Sequence, residues 1–558
     1  MEEQNKLEEV KEVTPEVVEE TPVVASLETP VAPNKPSKKK TGLLVGIIVI
    51  LIVAIVGVLA FLNKENVFKK GDNKPKEAEV GAKVVNSNYR LAGNGLENFD
   101  LYFMQVENPG KNMIYSPLSI KYALEMLAEG TDGDSRAQLD ALIGDYVARK
   151  YPNNKNMSFA NAMFIKDTFK NDVKKEYVSN LKNKYNAEVV YDSFKTPDVL
   201  NKWVSDKTLK LIPQLMSDIS DKDFVLVNAL AIDMEWVKKI QSEHEDYYVY
   251  FPHQDFSVDI VPLDSGGYHT LEFNNKKGVD IKSVEIGAVI HKYDIIKTLG
   301  EKSIRETVGS AYEDFVKDED SCKGDDETLE NKDKVVNQYI KEIKGNYGHV
   351  SKSTDFYFYD DKEVKVFAKD LKKYDGITLQ YVGIMPKNIS LSDYVSGVKA
   401  DDINKIINNL KDIKAENFED GVITYVKGFI PMFDFEYELP LLKDLQKLNV
   451  TDIFDPGKAD LSKMVNSDSE FIDTAVHKAN IEFSNVGIKA AAATAMGGRG
   501  AADCGFDYIY DVPVKTIDLT FDKPFMFVIR DKDTGEVWFT GNVYEPKVMG
   551  EEDYFDGD

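Results

Sequence analysis

The sequence predicts an α+β protein, because segments with the period of strands and segments with the period of helices occur in one large body. Residues 479–483 alternate between apolar and polar side chains, which is typical of a half-buried strand, and residues 431–437 alternate in the same way. Ser116 is a good N-cap and Pro117 suits the first helical position, so a helix with one apolar face is expected there. The chain has 558 residues, 43% hydrophobic and 29% charged, which is enough for a large globular core.

The N-terminal part of the chain is predicted to lie outside this body. Residues 1–41 are rich in Glu, Val, Pro and Lys without a persistent period, which indicates a disordered tail. Residues 42–62 are apolar and uncharged, and about 20 such residues span a bilayer as a helix. Since no small-residue cleavage site follows, we interpret this segment as a transmembrane signal anchor. A polar linker of residues 63–86 then leads to the body at 87–548.

The orientation of the anchor is predicted from the lysines beside it. Three lysines, at positions 38–40, abut one end of the segment, whereas Lys64 alone lies equally close to the other end. The positive-inside rule then favours a single-pass membrane protein with the large body on the extracellular side. Residues 549–558 are read as an acidic tail.

Charge and motif content exclude several classes of protein. The net charge of −26 argues against binding to nucleic-acid phosphates and favours encounter with basic partners. The sequence has no His-Glu-x-x-His motif, no phosphate-binding loop and no Cys-x-x-Cys pair, so we expect no enzyme, no metal site and no cofactor. Cys322 and Cys504 are too few for a disulfide framework; Cys504 is either a reactive thiol in an exposed loop or an incidental small residue.

The stretch from residue 476 to residue 500 is the most informative about function. Its strand is followed by Gly487, which permits a sharp change of backbone direction. A run of small residues comes next: Ala490, Ala491, Ala492, Ala493 and Thr494. Side chains of this size can slide between two strands, so the segment is suited to enter a sheet if a cut frees it.

This stretch resembles the hinge and reactive-centre loop of a serpin, a protease inhibitor of the suicide-substrate type. Further segments are similar to serpin motifs and occur in the family's order. They are residues 112–120, 161–165, 200–212, 226–236, 431–437, 523–527 and 539–543. The resemblance extends from Asn88 to Pro546 with one interruption, and it identifies the chain as a member of the serpin family.

The resemblance implies the serpin fold, with three β-sheets, about eight to nine helices around them and an exposed reactive-centre loop. Gly487 would be the hinge from which the loop inserts into the large sheet after cleavage. The region where this sheet opens would comprise Ser116, Pro117, Ser119, Asn228, Trp236 and His477. A monomer without cofactor is expected, with a target protease as its partner.

The function that the resemblance implies is inhibition of a serine-type or cysteine-type endopeptidase. The protease cuts the loop and forms an acyl-enzyme, and the freed side of the loop adds to the sheet as a central strand. Alternation gives this strand two faces. The core face would carry Ile488, Ala490, Ala492 and Thr494, and the outer face Lys489, Ala491 and Ala493. Ile488 and Asn485 depart from the family's usual Thr or Ser and Glu, which predicts slower or less efficient inhibition.

The scissile bond is expected in the window from Met496 to Cys504. Serpin spacing from the hinge favours the bond between Ala501 and Ala502, which suits elastase-like or subtilisin-like proteases. A shift of the register brings Arg499 into place instead and suits trypsin-like proteases. The alternative function is a non-inhibitory surface protein of the same fold that acts as a binding module.

Residues 279–356 interrupt the resemblance. An acidic stretch lies within them, followed by helical spacing, so we predict an inserted, largely helical subdomain on the surface. A calcium loop is the alternative for the acidic part, but the EF-hand spacing fails, because Cys322 and Lys323 fall where it requires a ligand and the turn glycine. The acidic part is therefore read as a solvated loop.

Overall fold

The computed structural model describes residues 87–93, 95–240, 271–276, 278–324, 327–488, 505–506, 508 and 512–549. The predicted tail, anchor and linker lie outside the described residues, as do the loop segment 489–504 and residues 550–558. Among the residues described, no helix combines the length and the apolar character needed to cross a membrane.

Eleven α-helices occur in the described part of the chain. They are α1 (Asn98–Glu107), α2 (Pro117–Ala128), α3 (Gly133–Ile143), α4 (Lys175–Tyr185), α5 (Asp198–Lys207), α6 (Ile295–Leu299), α7 (Glu301–Lys317), α8 (Lys332–Asn346), α9 (Leu391–Gly397), α10 (Ala400–Asn408) and α11 (Leu441–Lys447). The predicted eight to nine helices were too few, because α6, α7 and α8 lie where the resemblance offers no counterpart. We call residues 295–346 the α6–α8 segment.

The strands of the described residues are short to medium in length. They are β1 (Met113–Tyr115), β2 (Met157–Lys166), β3 (Glu188–Asp192), β4 (Phe224–Ile232), β5 (Met234–Glu235), β6 (Ser283–His291), β7 (Val350–Lys352), β8 (Tyr357–Asp360), β9 (Val364–Asp370), β10 (Leu379–Pro386), β11 (Lys411–Asp412), β12 (Ile423–Pro431), β13 (Phe433–Pro440), β14 (Val476–Phe483), β15 (Gly487–Ile488), β16 (Val514–Asp518), β17 (Phe525–Asp531) and β18 (Val537–Val543).

These strands form four sheets, whereas three were predicted. The orders are β1-β18-β17-β10-β9-β8-β11, β16-β12-β6-β7, β13-β14-β15-β5 and β3-β2-β4. The prediction differs because the large sheet expected from the resemblance is divided. β4 ends the three-stranded sheet, and β14 pairs with β13 and β15 in a separate four-stranded sheet.

The main core is built on the seven-stranded sheet. β10 and β18 are buried along their whole length, as expected for strands covered on both faces. An ion cluster lies beside this core: Lys121 Nζ of α2 is 2.7 Å from Asp100 Oδ1 and 3.1 Å from Glu536 Oε1, and none of the three side chains is more than 5% exposed. Because these charged groups are buried away from water, each is stabilised by its oppositely charged partners.

The structure contains the helix start at Ser116 and Pro117 and the alternating strand at residues 479–483 that the sequence predicts. Ser116 Oγ accepts a hydrogen bond from the backbone N–H of Ser119 at 3.1 Å, and α2 begins at Pro117. β14 buries alternate residues, with Ile481 3% and Phe483 0% exposed. Both patterns succeeded because local capping and alternation agree with the burial that the fold requires.

The predicted helical subdomain at residues 279–356 is narrower in the structure. Its helices occupy residues 295–346, whereas Ser283–His291 is the strand β6, which pairs with β12 over nine residues. Alternate residues of β6, including Ile286 and Ala288, belong to the main core. The pattern there has period two, so this part belongs to the central body.

Candidate functional site

β4 and β14 face each other across a gap that we call the slot. Within the described residues, no hydrogen-bonded ladder joins the two strands. Two cavities, of about 70 Å³ and about 10 Å³, lie between them. The larger is lined by residues 226–230 of β4 and 476–479 of β14, with Ser119 and Ile120 of α2 beside them. Two strand edges that are not joined to each other can accept a further strand between them.

The residues after β14 already occupy one end of the slot. The chain turns and returns as β15, where Ile488 pairs antiparallel with Phe483 of β14 and with Met234 of β5. Since β5 follows β4 after a single residue, β15 lies between continuations of the two strands that border the slot. Ile488 is 2% exposed and belongs to the main core. We call this end of the slot the hinge end.

Gly487 is needed for the close approach of β15 to β5. A Cβ atom at this position would lie 2.2 Å from the carbonyl oxygen of Met234, which is far inside van der Waals contact. The sequence suggested a role for this glycine in a change of direction; the structure gives it a steric role in strand pairing. A side chain here therefore forces β15 away from β5.

Trp236 fixes the turn between β14 and β15. Its indole Nε1–H donates to the carbonyl oxygen of Ser484 at 2.9 Å, and its backbone N–H donates to the carbonyl oxygen of Val486 at 2.9 Å. The buried ring also packs against Phe483, with 5.5 Å between ring centroids. The turn is thus held by a side chain that follows directly on β5.

The start of α2 bridges the two strands of the slot. The backbone N–H of Ser116 donates to His477 Nε2 of β14 at 2.9 Å, and the hydroxyl of Ser119 donates to Asn228 Oδ1 of β4. Asn228 Nδ2 in turn donates to Asn161 Oδ1 of β2 at 2.6 Å, and Asn161 Nδ2 donates to the carbonyl oxygen of Tyr185 at 2.8 Å. A chain of polar contacts therefore runs across the floor of the slot.

His477 acts as a neutral acceptor in this chain. Its Nε2 accepts the Ser116 N–H, which requires an unprotonated nitrogen. Burial lowers the pKa of His477 to about 4, so the ring is neutral at pH 7. Protonation removes the acceptor and the contact between β14 and α2.

The structure assembles most of the described residues predicted for sheet opening. Ser116, Pro117, Ser119, Asn228 and His477 lie together at the slot, whereas Trp236 lies at the hinge end. The positions of the loop itself fall outside the described residues; they are Ala490, Ala491, Ala492, Ala493, Thr494, Arg499, Ala501, Ala502 and Cys504.

Asn161 was not singled out from the sequence. It is the only polar residue between Phe159 and Ile165, and it is 4% exposed in the structure. An isolated amide within an apolar strand must find partners when it is buried. That signal was present in the sequence and points to the polar chain under the slot.

A family model described as "Serpin (serine protease inhibitor)" matches residues 98–262 and 342–546. The chain belongs to the serpin family. An uncharacterized serpin-like protein of Methanosarcina acetivorans is 25% identical over 477 residues, which cover 81% of this serpin and 85% of the relative. Leukocyte elastase inhibitor A of Mus musculus is 25% identical over 463 residues, which cover 79% of this serpin and 94% of that inhibitor.

Solved serpins share the fold. Tengpin, a thermophilic serpin, superimposes in its native state with a TM-score of 0.52 at 21% identity, covering 80% of this chain and 93% of tengpin. Thyroxine-binding globulin in complex with thyroxine gives a TM-score of 0.52 at 16% identity, with 80% and 97% covered. Serpins are for the most part protease inhibitors and generally not catalysts, although the family also includes non-inhibitory members.

The α6–α8 segment lies largely outside the family match, which leaves residues 263–341 unmatched. In this serpin, the segment contacts residues that follow the predicted reactive loop. Phe506, Tyr508 and Val512 pack with its apolar face in a cluster separate from the main core. We call the described residues among 505–512 the C-terminal flank of the loop.

Proposed function

We propose that this serpin inhibits a serine-type endopeptidase as a suicide substrate, by inserting its cleaved loop into the slot between β4 and β14. The observation that carries the proposal is β15: Gly487 and Ile488, which lead into the predicted loop, are already paired with β5, and Ile488 is also paired with Phe483 of β14. An arm that begins as a strand at one end of an open slot can continue as a strand when it is cut free.

The pairing of β15 defines where each later residue would go. Ile488 is opposite Phe483 on one side and Met234 on the other, and each further residue moves one position along both strands. Continued in this way, Ala490 comes opposite Ile481 and Ile232. Ala492 then comes opposite Ala479 and Leu230, and Thr494 opposite His477 and Asn228.

The chemistry of these positions supports the proposal. Ile481, Ala479, Leu230 and Ile232 are each at most 7% exposed and belong to the main core, so Ala490 and Ala492 would meet an apolar face. Lys489 would come opposite Glu482 and Asp233, where a cation is favoured. Small residues are required on the core side, because the cavities between the strands are narrow.

The proposal is tested by mixing the full chain with elastase, subtilisin and trypsin and searching for a complex that survives SDS. We expect a covalent complex with at least one of them, and none when the protease's active-site serine has been blocked beforehand. Cleaved chain without any complex would instead support the alternative of a non-inhibitory surface binding module.

Thermal unfolding provides a second, independent readout. Insertion of about a dozen residues is worth on the order of 10 kcal/mol in hydrogen bonds, which for a body of this size corresponds to a rise in Tm of about 10 °C or more. A nick in the loop that leaves Tm unchanged would refute the mechanism.

The position of the scissile bond is proposed as Ala501–Ala502, with Arg499 as the alternative. Mass spectrometry of the released C-terminal peptide distinguishes the two, because a cut after Ala501 and a cut after Arg499 give different N-terminal residues. An elastase-like or subtilisin-like target follows from the first cut and a trypsin-like target from the second.

We also propose that residues 42–62 anchor the protein in a membrane with the serpin body outside, and that the α6–α8 segment is an insertion into the family's fold. The anchor is tested by comparing the full chain with a chain that starts at residue 63. Only the full chain should remain with membranes after alkaline carbonate extraction, and added protease should reach the serpin body on intact cells.

A further inference from the structure

Phe506 follows the predicted reactive loop and is held by the α6–α8 segment and the connection between α7 and α8. Its ring makes an edge contact with Tyr312 of α7, at 4.9 Å between centroids, and a tilted contact with Phe315, at 5.5 Å. Its backbone N–H donates to a carboxylate oxygen of Glu327. Displacing Phe506 therefore breaks two aromatic contacts and a hydrogen bond to a charged group.

The flank is held again a few residues later. The hydroxyl of Tyr339 in α8 donates to the carbonyl oxygen of Tyr508 at 2.7 Å, and the two rings meet edge to face at 6.1 Å. Val512 is 3% exposed and lies in one apolar cluster with Val308 of α7 and Val336 of α8. β16 follows as an edge strand that pairs in parallel with β12.

A covalent link lies next to these contacts. Cys322, in the connection between α7 and α8, is disulfide-bonded. The sequence has one other cysteine, Cys504, which directly precedes Gly505. Among the described residues, the α6–α8 segment thus holds the chain after the predicted loop by ring packing and by hydrogen bonds.

β12 connects the held flank with the hinge end of the slot. β12 starts at Ile423, which shares a cluster with Val512, and ends at Pro431, two residues before Phe433. Phe433 pairs with Phe483, the last residue of β14, at the hinge end. A loop that enters the slot advances from this end along β14.

Chain length then limits insertion of an uncut loop. The stretch from residue 489 to residue 505 contains 17 residues. Inserted residues advance about 3.3 Å each, and the rest must span the same distance back at no more than about 3.5 Å each. At most about eight of the 17 residues can therefore insert while the loop is uncut. The remaining residues would then be fully extended.

We propose that the α6–α8 segment is a clamp on the C-terminal flank that makes complete insertion conditional on cleavage; this inference rests on the proposed function. While the loop is intact, full insertion requires the flank to leave Tyr312, Phe315 and Tyr339. After the cut, the clamp holds only the C-terminal fragment, so the hinge side inserts without opposition. The clamp thus prevents the uncut inhibitor from inserting its loop and becoming inactive in the absence of a protease.

The test measures spontaneous conversion of the uncut protein to a heat-resistant form. The full chain and the variants Phe506→Ala and Tyr339→Phe are incubated at a temperature just below unfolding without protease, and the fraction that has gained heat resistance and lost inhibition is followed. We expect Phe506→Ala to convert at least roughly tenfold faster than the unmodified chain. Tyr339→Phe should also convert faster, because it loses the hydrogen bond to the carbonyl oxygen of Tyr508. Tyr347→Ala removes a half-exposed ring hydrogen-bonded to Asp420 and serves as the control, with an unchanged rate.

The Tm of the protease-cut form separates this inference from the proposed function. If cutting raises the Tm of the unmodified chain and of Phe506→Ala to the same value, insertion occurs and the clamp acts only on the uncut state. If all variants then convert at the unmodified rate, the clamp is refuted while the inhibitory mechanism stands. If cutting leaves the Tm of every variant unchanged, both the clamp and the proposed inhibitory mechanism are refuted. Tyr339→Phe keeps its ring, so it decides the question should Phe506→Ala not fold.

Discussion

On the proposed mechanism, a single carboxylate placed on the core face of the inserting strand should convert this serpin from an inhibitor into a substrate. The chosen change is Ala492→Glu, because the pairing of β15 assigns residue 492 a position between Ala479 and Leu230, 3% and 7% exposed. The matched control is Ala491→Glu. It adds the same side chain one position earlier, on the face that carries Lys489.

The expected magnitude follows from burial. An unpaired carboxylate carried into an apolar core costs several kcal/mol, taken here as about 3 kcal/mol. The two backbone hydrogen bonds that an inserted residue makes contribute about 1 to 3 kcal/mol together. One buried charge therefore offsets the gain from one to three inserted residues. Expressed as a barrier, about 3 kcal/mol slows insertion by roughly a hundredfold.

The assay is the stoichiometry of inhibition against whichever protease the unmodified chain traps. Insertion competes with hydrolysis of the acyl-enzyme, so slower insertion releases more cleaved chain per trapped protease. We expect Ala492→Glu to need at least roughly tenfold more inhibitor per protease, and Ala491→Glu to stay within about twofold. Both variants should be cut at the same bond as the unmodified chain.

Two results would refute the reasoning. Equal loss of inhibition in the two variants would show that charge anywhere in the loop is harmful and that the assigned faces carry no information. Full inhibition by Ala492→Glu would show that residue 492 never reaches the core.

Three further predictions concern the surroundings of the slot and the core. Gly487→Ala should lower the free energy of unfolding of the uncut protein, measured in urea, by about 1–3 kcal/mol, whereas Gly397→Ala, with open space around it, should not. The pKa of His477 is about 4 in the folded protein and about 6.5 when unfolded, so the unfolded state binds the proton more tightly and stability falls as pH drops through this window. Between pH 7 and pH 5 the loss should be about 2 kcal/mol larger for the unmodified chain than for His477→Gln. Lys121→Met leaves two buried carboxylates without their cation and should cost about 3–5 kcal/mol, whereas Lys302→Met, at a side chain that is 91% exposed, should cost less than about 0.5 kcal/mol in the same denaturant assay.

The elements that sequence reasoning predicted well are those in which local and global requirements coincide. α2 begins at Ser116 and Pro117 because capping there also turns an apolar face to the core. β14 alternates because one of its faces is buried. The grouping of Ser116, Asn228 and His477 came from the family resemblance, since nothing in their spacing along the chain brings them together.

The features that were missed depend on contacts between distant segments. The sequences of β4 and β14 each have the pattern of an ordinary strand. They do not indicate that the large sheet is divided between these two strands. The strand β6 was assigned to a surface subdomain because its neighbours in sequence lack a family match. The hold of the α6–α8 segment on Phe506 joins residues nearly two hundred positions apart and has no local signal.

β15 has a consequence for the speed of the reaction. A strand that starts to pair with a sheet first loses chain entropy and gains its backbone hydrogen bonds only afterwards. A strand whose first residues are already paired is extended one residue at a time. The two residues of β15 act as a nucleus that is present before any protease arrives. They also exclude a slip by one position, which would turn every small side chain to the wrong face. On the proposed mechanism, insertion would therefore compete with deacylation from a strand that has already started to pair.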